Sequence, residues 1–206
     1  MVRRDPGKTE LQKYLVGFMK EDTRIILIED EYETFLKELY PSLDVVSWVT
    51  FNNQENISKE MRKLIKEALR NNPEWLIISE VRGEEAKELY SSLTTGHPLI
   101  TTIHSKSAYK SIERLAYLMD ISLDNLLLVE DLIDYLNIAV HMDKYTDEYG
   151  NTIRYIKEIV EYYVEDDEIK KNHIYLSNGY IKEYFYLSKS LADKLDLKER
   201  WYEDTI

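Results

Sequence analysis

Between Leu11 and Tyr135 short, continuous apolar runs alternate with stretches of helical periodicity. The runs are Arg24-Ile-Ile-Leu-Ile28, Val45 to Phe51, Trp75-Leu-Ile-Ile78 and Leu99 to Ile103. Runs this short and uniformly apolar, rich in β-branched and aromatic residues, suit strands buried on both faces of a parallel sheet. The segments between them carry apolar residues at helical spacing. They are Leu11, Tyr14, Leu15 and Phe18; Met61, Leu64, Ile65, Ala68 and Leu69 between Asn56 and Asn71; and Ala86, Leu89, Tyr90 and Leu93. Ile112, Leu115 and Ala116 continue the pattern between Ala108 and Met119, and Leu123 to Tyr135 forms one more helix. Pro73 and Gly96 mark helix ends. The alternation predicts an α/β fold, a mostly parallel sheet flanked by helices.

From Leu136 the pattern becomes β. Asn137 to Met142 and the run from Thr152 flank Asp147-Glu-Tyr-Gly150-Asn151, a hairpin connection. Ile174 to Leu176 and Tyr180 to Tyr186 flank Ser177-Asn178-Gly179, a second one. Glu165-Asp166-Asp167-Glu168 reads as an exposed connection, and Ser188 as the cap of a last helix through Leu197. We therefore expect residues 1–145 as the α/β core. Residues 146–206 are expected as a small, antiparallel, β-hairpin-rich extension packed on it, extending a sheet or forming an interface.

Composition narrows the function classes. The chain has 206 residues, 44% hydrophobic and 32% charged, which suits one globular domain with a small appendage. A net charge of -12 argues against direct nucleic-acid binding. The absence of Cys fits a reducing compartment and excludes a thiolate metal site. His97, His104, His141 and His173 lack the paired spacing of a zinc site. No apolar run reaches the length of a membrane span.

Three places carry candidate chemistry. Gly7-Lys8-Thr9 matches the tail of a phosphate loop, in which backbone N–H groups surround phosphates, a Lys reaches the β/γ oxygens and a hydroxyl meets Mg²⁺. Its first Gly should stand at position 2, which is Val2. Glu29-Asp30-Glu31-Tyr32-Glu33 follows one predicted strand. Such a cluster is usually a solvated loop, but at the carboxyl end of a sheet strand it can hold a metal-bound water or a general base. Glu80, followed by Val81-Arg82-Gly83, and His104 end two more strands, and in open α/β sheets ligands bind beyond those ends. A solvated Glu and a hydrogen-bonded structural His are the plainer readings.

In order and spacing, IILIEDEYE, PEWLIISEVRGEEA and TGHPLITTIHSKSA resemble the acidic, Walker B and His boxes of the secretion-type ATPases. These are the hexameric motors of type II and type IV secretion, type IV pili and Tad-like systems. The resemblance spans roughly residues 1 to 165 and implies a RecA-like P-loop core using ATP and Mg²⁺. It implies that Gly7, Lys8 and Thr9 bind nucleotide and that Thr9 and Glu80 meet Mg²⁺ through it. Glu33 would be the base for the attacking water, Glu80 the Walker B acid and His104 the γ-phosphate sensor. Asp30, Arg82, Gly83 and His97 would support them. It further implies hexameric self-association, inner-membrane platform proteins as partners, and a cytoplasmic location peripheral to the inner membrane.

The front of the chain departs from this family pattern. Glycines expected at positions 2, 3 and 5 are Val2, Arg3 and Asp5, whose side chains obstruct close backbone approach to phosphates. We further expect neither the strand that feeds the loop nor the family's separate N-terminal domain, and the usual arginines are not evident in SWVTFNNQENISK. Without that domain we expect a monomer or weak dimer. The alternative to a motor domain is a catalytically silent paralogue acting as a binding or regulatory subunit.

Overall fold

A computed structural model describes residues 7–51 and 57–197. The chain forms two compact units. One comprises Lys8–His104 and Glu113–Leu123; the other comprises Gly7, Ser105–Ile112 and the chain from Asp124 onward.

The first unit contains α1 (Lys8–Val16), β1 (Arg24–Glu29), α2 (Leu36–Leu39), β2 (Asp44–Val49), α3 (Ile57–Leu69), β3 (Trp75–Val81), α4 (Ala86–Thr94) and β4 (Leu99–Ile103). Its four strands are parallel in the order β2-β1-β3-β4. Ile25, Ile26, Leu27 and Ile28 on β1 are each 0% exposed, which is why this strand is apolar throughout instead of alternating. Burial of each such side chain contributes about 1.5–3 kcal/mol. One face joins Val16, Ile25, Leu27, Leu36, Val45 and Ile77 in a single cluster. The other receives α3, which packs on β1 and buries Met61, Ile65 and Ala68.

The structure turns α1 differently from its sequence pattern. Gln12 and Val16 are buried, while Tyr14, Leu15 and Phe18 are exposed. The inward stripe is Lys8, Gln12 and Val16, spaced four residues apart. Two of its three members are polar, so hydrophobic periodicity selected the opposite face.

The second unit is built on an antiparallel meander, β5 (Ile138–Thr146), β6 (Thr152–Glu165), β7 (Glu168–Ser177) and β8 (Lys182–Tyr184), in sequential order. The antiparallel sheet therefore takes in residues from Ile138, ahead of position 146. Each hairpin is closed by local chemistry. The Asp147 carboxylate accepts from the backbone N–H groups of Tyr149 and Asn151, at 3.0 and 2.8 Å. The Asn178 side chain accepts from Tyr180 and Ile181, at 3.0 and 2.8 Å. At Gly179 (φ 94°) a Cβ would stand 2.8 Å from the Tyr145 ring.

Of the acidic run, only Asp166 and Asp167 are connection, and both are left-handed (φ 51° and 57°). Glu165 and Glu168 are paired across the ladder. The last helix among the described residues, α5 (Lys189–Lys194), is capped by Ser188, whose hydroxyl accepts from Leu191 N at 3.1 Å. It stops short of Leu197, with Asp196 at positive φ (52°).

A two-residue turn with both φ values positive favours Asn-Gly, which reaches the left-handed region more easily. Replacing Asp166 by Asn and Asp167 by Gly should stabilise the hairpin by about 1 kcal/mol. That corresponds to a rise of roughly 2–4 °C in melting temperature, read by differential scanning calorimetry. An unchanged or lower melting temperature would contradict this turn geometry.

Candidate active site

Glu80 is presented by an irregularity in the parallel sheet. β3 and β4 pair Ile78 with Thr101 and then Val81 with Ile103, so Ser79 and Glu80 face Thr102 alone. Such a bulge bends a strand and re-aims its side chains. Side chains supply hydrogen bonds around it: Thr102 Oγ1 donates to the Ser79 carbonyl at 2.7 Å, and Gln12 Nε2 to the Ile78 carbonyl at 3.0 Å. α1 is thereby tied to the strand that carries Glu80.

Lys8, Arg82 and His104 surround the Glu80 carboxylate, whose side chain is only 12% exposed. Lys8 Nζ lies 3.4 Å and His104 Nε2 2.8 Å from Oε1. Arg82 approaches Oε2 with Nε at 2.9 Å and Nη2 at 2.7 Å, and pairs through Nη1 with Asp30 Oδ2 at 2.9 Å. Burial pushes the Glu80 carboxyl up, but the Arg82 hydrogen bonds and the charges of Lys8, Arg82 and His104 outweigh it and hold it below the usual range.

Glu33 sits beside Thr9, whose Oγ1 donates to Glu33 Oε1 at 3.2 Å. The loop bearing Glu33 is held by Glu29, which is fully buried. Glu29 Oε1 accepts from the backbone N–H groups of Glu33 and Thr34 at 3.3 and 3.0 Å, and Oε2 from Ser47 Oγ at 3.2 Å. Glu85, 3% exposed, plays the same part after β3. It accepts from the backbone N–H groups of Arg82 and Gly83 at 2.6 and 2.8 Å, and from Ser58 Oγ. Sequence reasoning took Glu29 only as one member of the acidic cluster and gave Glu85 no role. The only available signal was their position beside more obvious candidates.

Lys8, Asp30, Glu80, Arg82 and His104 are thus linked by direct contacts at the carboxyl ends of neighbouring strands, while Thr9 and Glu33 form a pair of their own that adjoins Lys8 along the chain. Gly83 belongs to the Glu85-held turn. Gly7 immediately precedes α1 with φ 95°, a conformation suited to glycine. His97 is not brought to this group. It precedes β4 at the strand's other end, with its Nδ1 2.9 Å from Thr95 Oγ1. Positions 2, 3 and 5, and residues 52–56 within the stretch SWVTFNNQENISK, lie outside the described residues.

A hydroxyl and carboxylates are hard oxygen donors, so Thr9 and Glu80 suit Mg²⁺. Among the described residues no group of three or more His, Cys, Asp or Glu is placed to hold a metal ion.

Glu85 yields a stability prediction. Burial pushes its carboxyl up, but hydrogen bonds from Ser58 and the Arg82 and Gly83 backbone hold it below the ordinary value. A depressed folded-state pKa stabilises the fold above the unfolded-state value and loses that contribution as pH falls through the folded one. Glu85→Ala should cost about 2 kcal/mol at neutral pH, with little penalty left once the wild-type carboxyl is protonated. The exposed Glu84→Ala should be nearly neutral. Urea unfolding of both variants from pH 7 to pH 3 measures this; a pH-independent Glu85 penalty would refute it.

The family model described as type II/IV secretion system protein matches residues 6–154. An uncharacterised protein of Bacillus anthracis is 37% identical over 207 aligned residues, covering 96% of this chain and 46% of that protein. The type IV secretion system protein VirB11 of Bartonella henselae is 31% identical over 115 residues, 55% of this chain and 31% of its own length. Among solved structures, the VirB11 ATPase of the Brucella suis type IV secretion system, in complex with sulphate, is similar with a TM-score of 0.59. It is 26% identical over 77% of this chain and 46% of that one. The Legionella pneumophila ATPase DotB shares the fold (TM-score 0.61, 16% identity, 77% of this chain and 43% of that one). The chain spans about half the length of the Bacillus anthracis relative and the Brucella suis structure. With its four-stranded parallel sheet and three acid- and histidine-bearing strand ends, the chain belongs to the type II/IV secretion system protein family and has the RecA-like fold of the secretion ATPases.

Proposed function

We propose that the chain is the C-terminal ATPase domain of a secretion, pilus or conjugation motor, coupling ATP hydrolysis to protein or pilus transport. The observation that carries this reading is the junction of Lys8, Glu80 and His104 at 3.4 and 2.8 Å, beyond adjacent parallel strands. Phosphoryl transfer requires mainly positioned charge and an oriented water, and these side chains supply the charge. Lys8 binds the β- and γ-phosphate oxygens. Thr9 and Glu80 would hold Mg²⁺, which when bound would neutralise phosphate charge. Glu33, beside Thr9, takes the proton of the attacking water, and His104 Nε2 donates to the terminal phosphate. Asp30 and Arg82 orient Glu80, and the Gly83 turn fixes Arg82.

Family members act as rings, so the proposal includes self-association and docking to inner-membrane platform proteins from the cytoplasmic side. No helix among the described residues is long and apolar enough to cross a membrane.

One observation favours a second reading, a silent regulatory subunit that retains the fold. Val2, Arg3 and Asp5 replace the loop glycines, and Asp5 brings a carboxylate toward phosphate. At contact range and an effective dielectric of 20 that repulsion is on the order of 4 kcal/mol. The motor reading therefore predicts weak, high-micromolar binding of Mg-ATP and slow turnover.

Calorimetry and phosphate release test the two readings. Lys8→Ala should weaken Mg-ATP binding about tenfold to a hundredfold, the worth of a charge-assisted hydrogen bond. Glycines at positions 2, 3 and 5 should raise affinity and turnover, and Glu80→Gln should abolish that turnover. Binding unaffected by Lys8→Ala would sink the nucleotide site. Good binding without turnover in the glycine-restored protein would favour the silent subunit.

A further inference from the structure

The two oxygens of Glu80 have different companions. Oε2 is gripped by Arg82 at 2.9 and 2.7 Å, and Arg82 is anchored in turn by Asp30 at 2.9 Å. Oε1 faces Lys8 at 3.4 Å and His104 Nε2 at 2.8 Å, the two groups assigned to phosphate in the proposed function. A ring nitrogen carries one hydrogen, so His104 Nε2 cannot donate along one direction to both Glu80 and a phosphate oxygen. A lysine ammonium has three donors, but its single charge is already partly neutralised by the carboxylate beside it.

We infer that Glu80 is a built-in competitor for the phosphate-binding donors, its Oε1 being the group that a nucleotide's terminal phosphate must displace from Lys8 and His104. Arg82 is the positioning residue of this arrangement. Gripping the opposite oxygen, it keeps the carboxylate in place while Lys8 and His104 turn to phosphate, and it offsets charge that would otherwise hold them. Affinity is then set by an exchange between a carboxylate and a phosphate for the same donors. The bare attraction of Lys8 for a polyphosphate overstates it. This inference rests on the nucleotide reading and concerns how that site is regulated from within.

Titration calorimetry with ADP in EDTA tests it, since the metal's own demand on Glu80 is then removed. The proteins are wild type, Glu80→Gln, Lys8→Met, the Lys8→Met/Glu80→Gln double variant, Arg82→Gln and Arg82→Gln/Glu80→Gln, with melting curves reporting folding. Glu80→Gln should bind ADP at least tenfold more tightly than wild type. In the Lys8→Met background the same change should yield less than threefold, because little remains for Glu80 to release. Arg82→Gln should weaken ADP binding severalfold, and the effect should vanish when Glu80 is already Gln.

No gain in Glu80→Gln overturns the inference. So does an equal gain with and without Lys8, which would mean simple removal of negative charge. An Arg82 effect that persists without Glu80 removes its positioning role. If wild type binds ADP in a Lys8-dependent manner, the nucleotide reading stands whatever the Glu80 variants do. If no variant binds ADP, that reading fails and the inference fails with it.

Discussion

The Glu80 carboxylate joins four separated segments of the first unit: the start of α1 through Lys8, the end of β1 through Asp30 and Arg82, the bulge in β3, and the residue after β4 through His104. A largely buried carboxylate is tolerated only with charged or hydrogen-bonding partners, and those partners become ordered by the same requirement. The apolar sheet makes this possible. β1, buried on both faces, holds neighbouring strands in register, so residues beyond their ends fall within hydrogen-bonding distance.

The acids of the site divide by burial into two working groups. Glu29 and Glu85 are closed off from solvent, and both accept from backbone N–H groups that the adjoining turns leave unpaired. Their work is on loop shape: Glu29 sets the turn that carries Glu33, and Glu85 sets the turn after Arg82. Glu33 and Glu80 instead meet Thr9, Lys8 and His104, side chains capable of meeting a ligand. Each of these two candidates thus rests on a buried acid or a cation nearby, an arrangement that limits rotamer freedom where phosphoryl-transfer chemistry requires fixed geometry.

The second unit has its own buried carboxylate. Glu158, on β6, accepts from the backbone N–H of Ala108 at 2.6 Å. It lies within 3.2 Å of His141 Nδ1 and 3.0 Å of His173 Nε2, from the strands on either side. His173 also stacks on Tyr109, with ring centroids 5.4 Å apart. Two histidines more than thirty residues apart in the chain thereby become one structural cluster, anchoring the short turn Ala108–Lys110 to the sheet. In this unit the polar groups serve the fold.

Buried parallel strands, helical periodicity between them and turn residues in the hairpins were all legible along the chain, because each is a local pattern imposed by backbone geometry and burial. β1, β3 and β4, the helix over 57–69 and the hairpin at Asn178-Gly179 emerge where those patterns lie. The ordered acidic, Walker B and His boxes likewise marked the family. Three features were decided by packing. The inward face of α1 follows Lys8, Gln12 and Val16, because polar groups on β3 and at the site compete with hydrophobic burial for that helix. The bulge at Ser79-Glu80 has no residue signature, since it reflects the register of two strands joined by a helix. The burial of Glu29 and Glu85 was hidden for the same reason: an acid's local sequence looks alike in solvent and in the core, and only the backbone N–H groups folded around it distinguish the two.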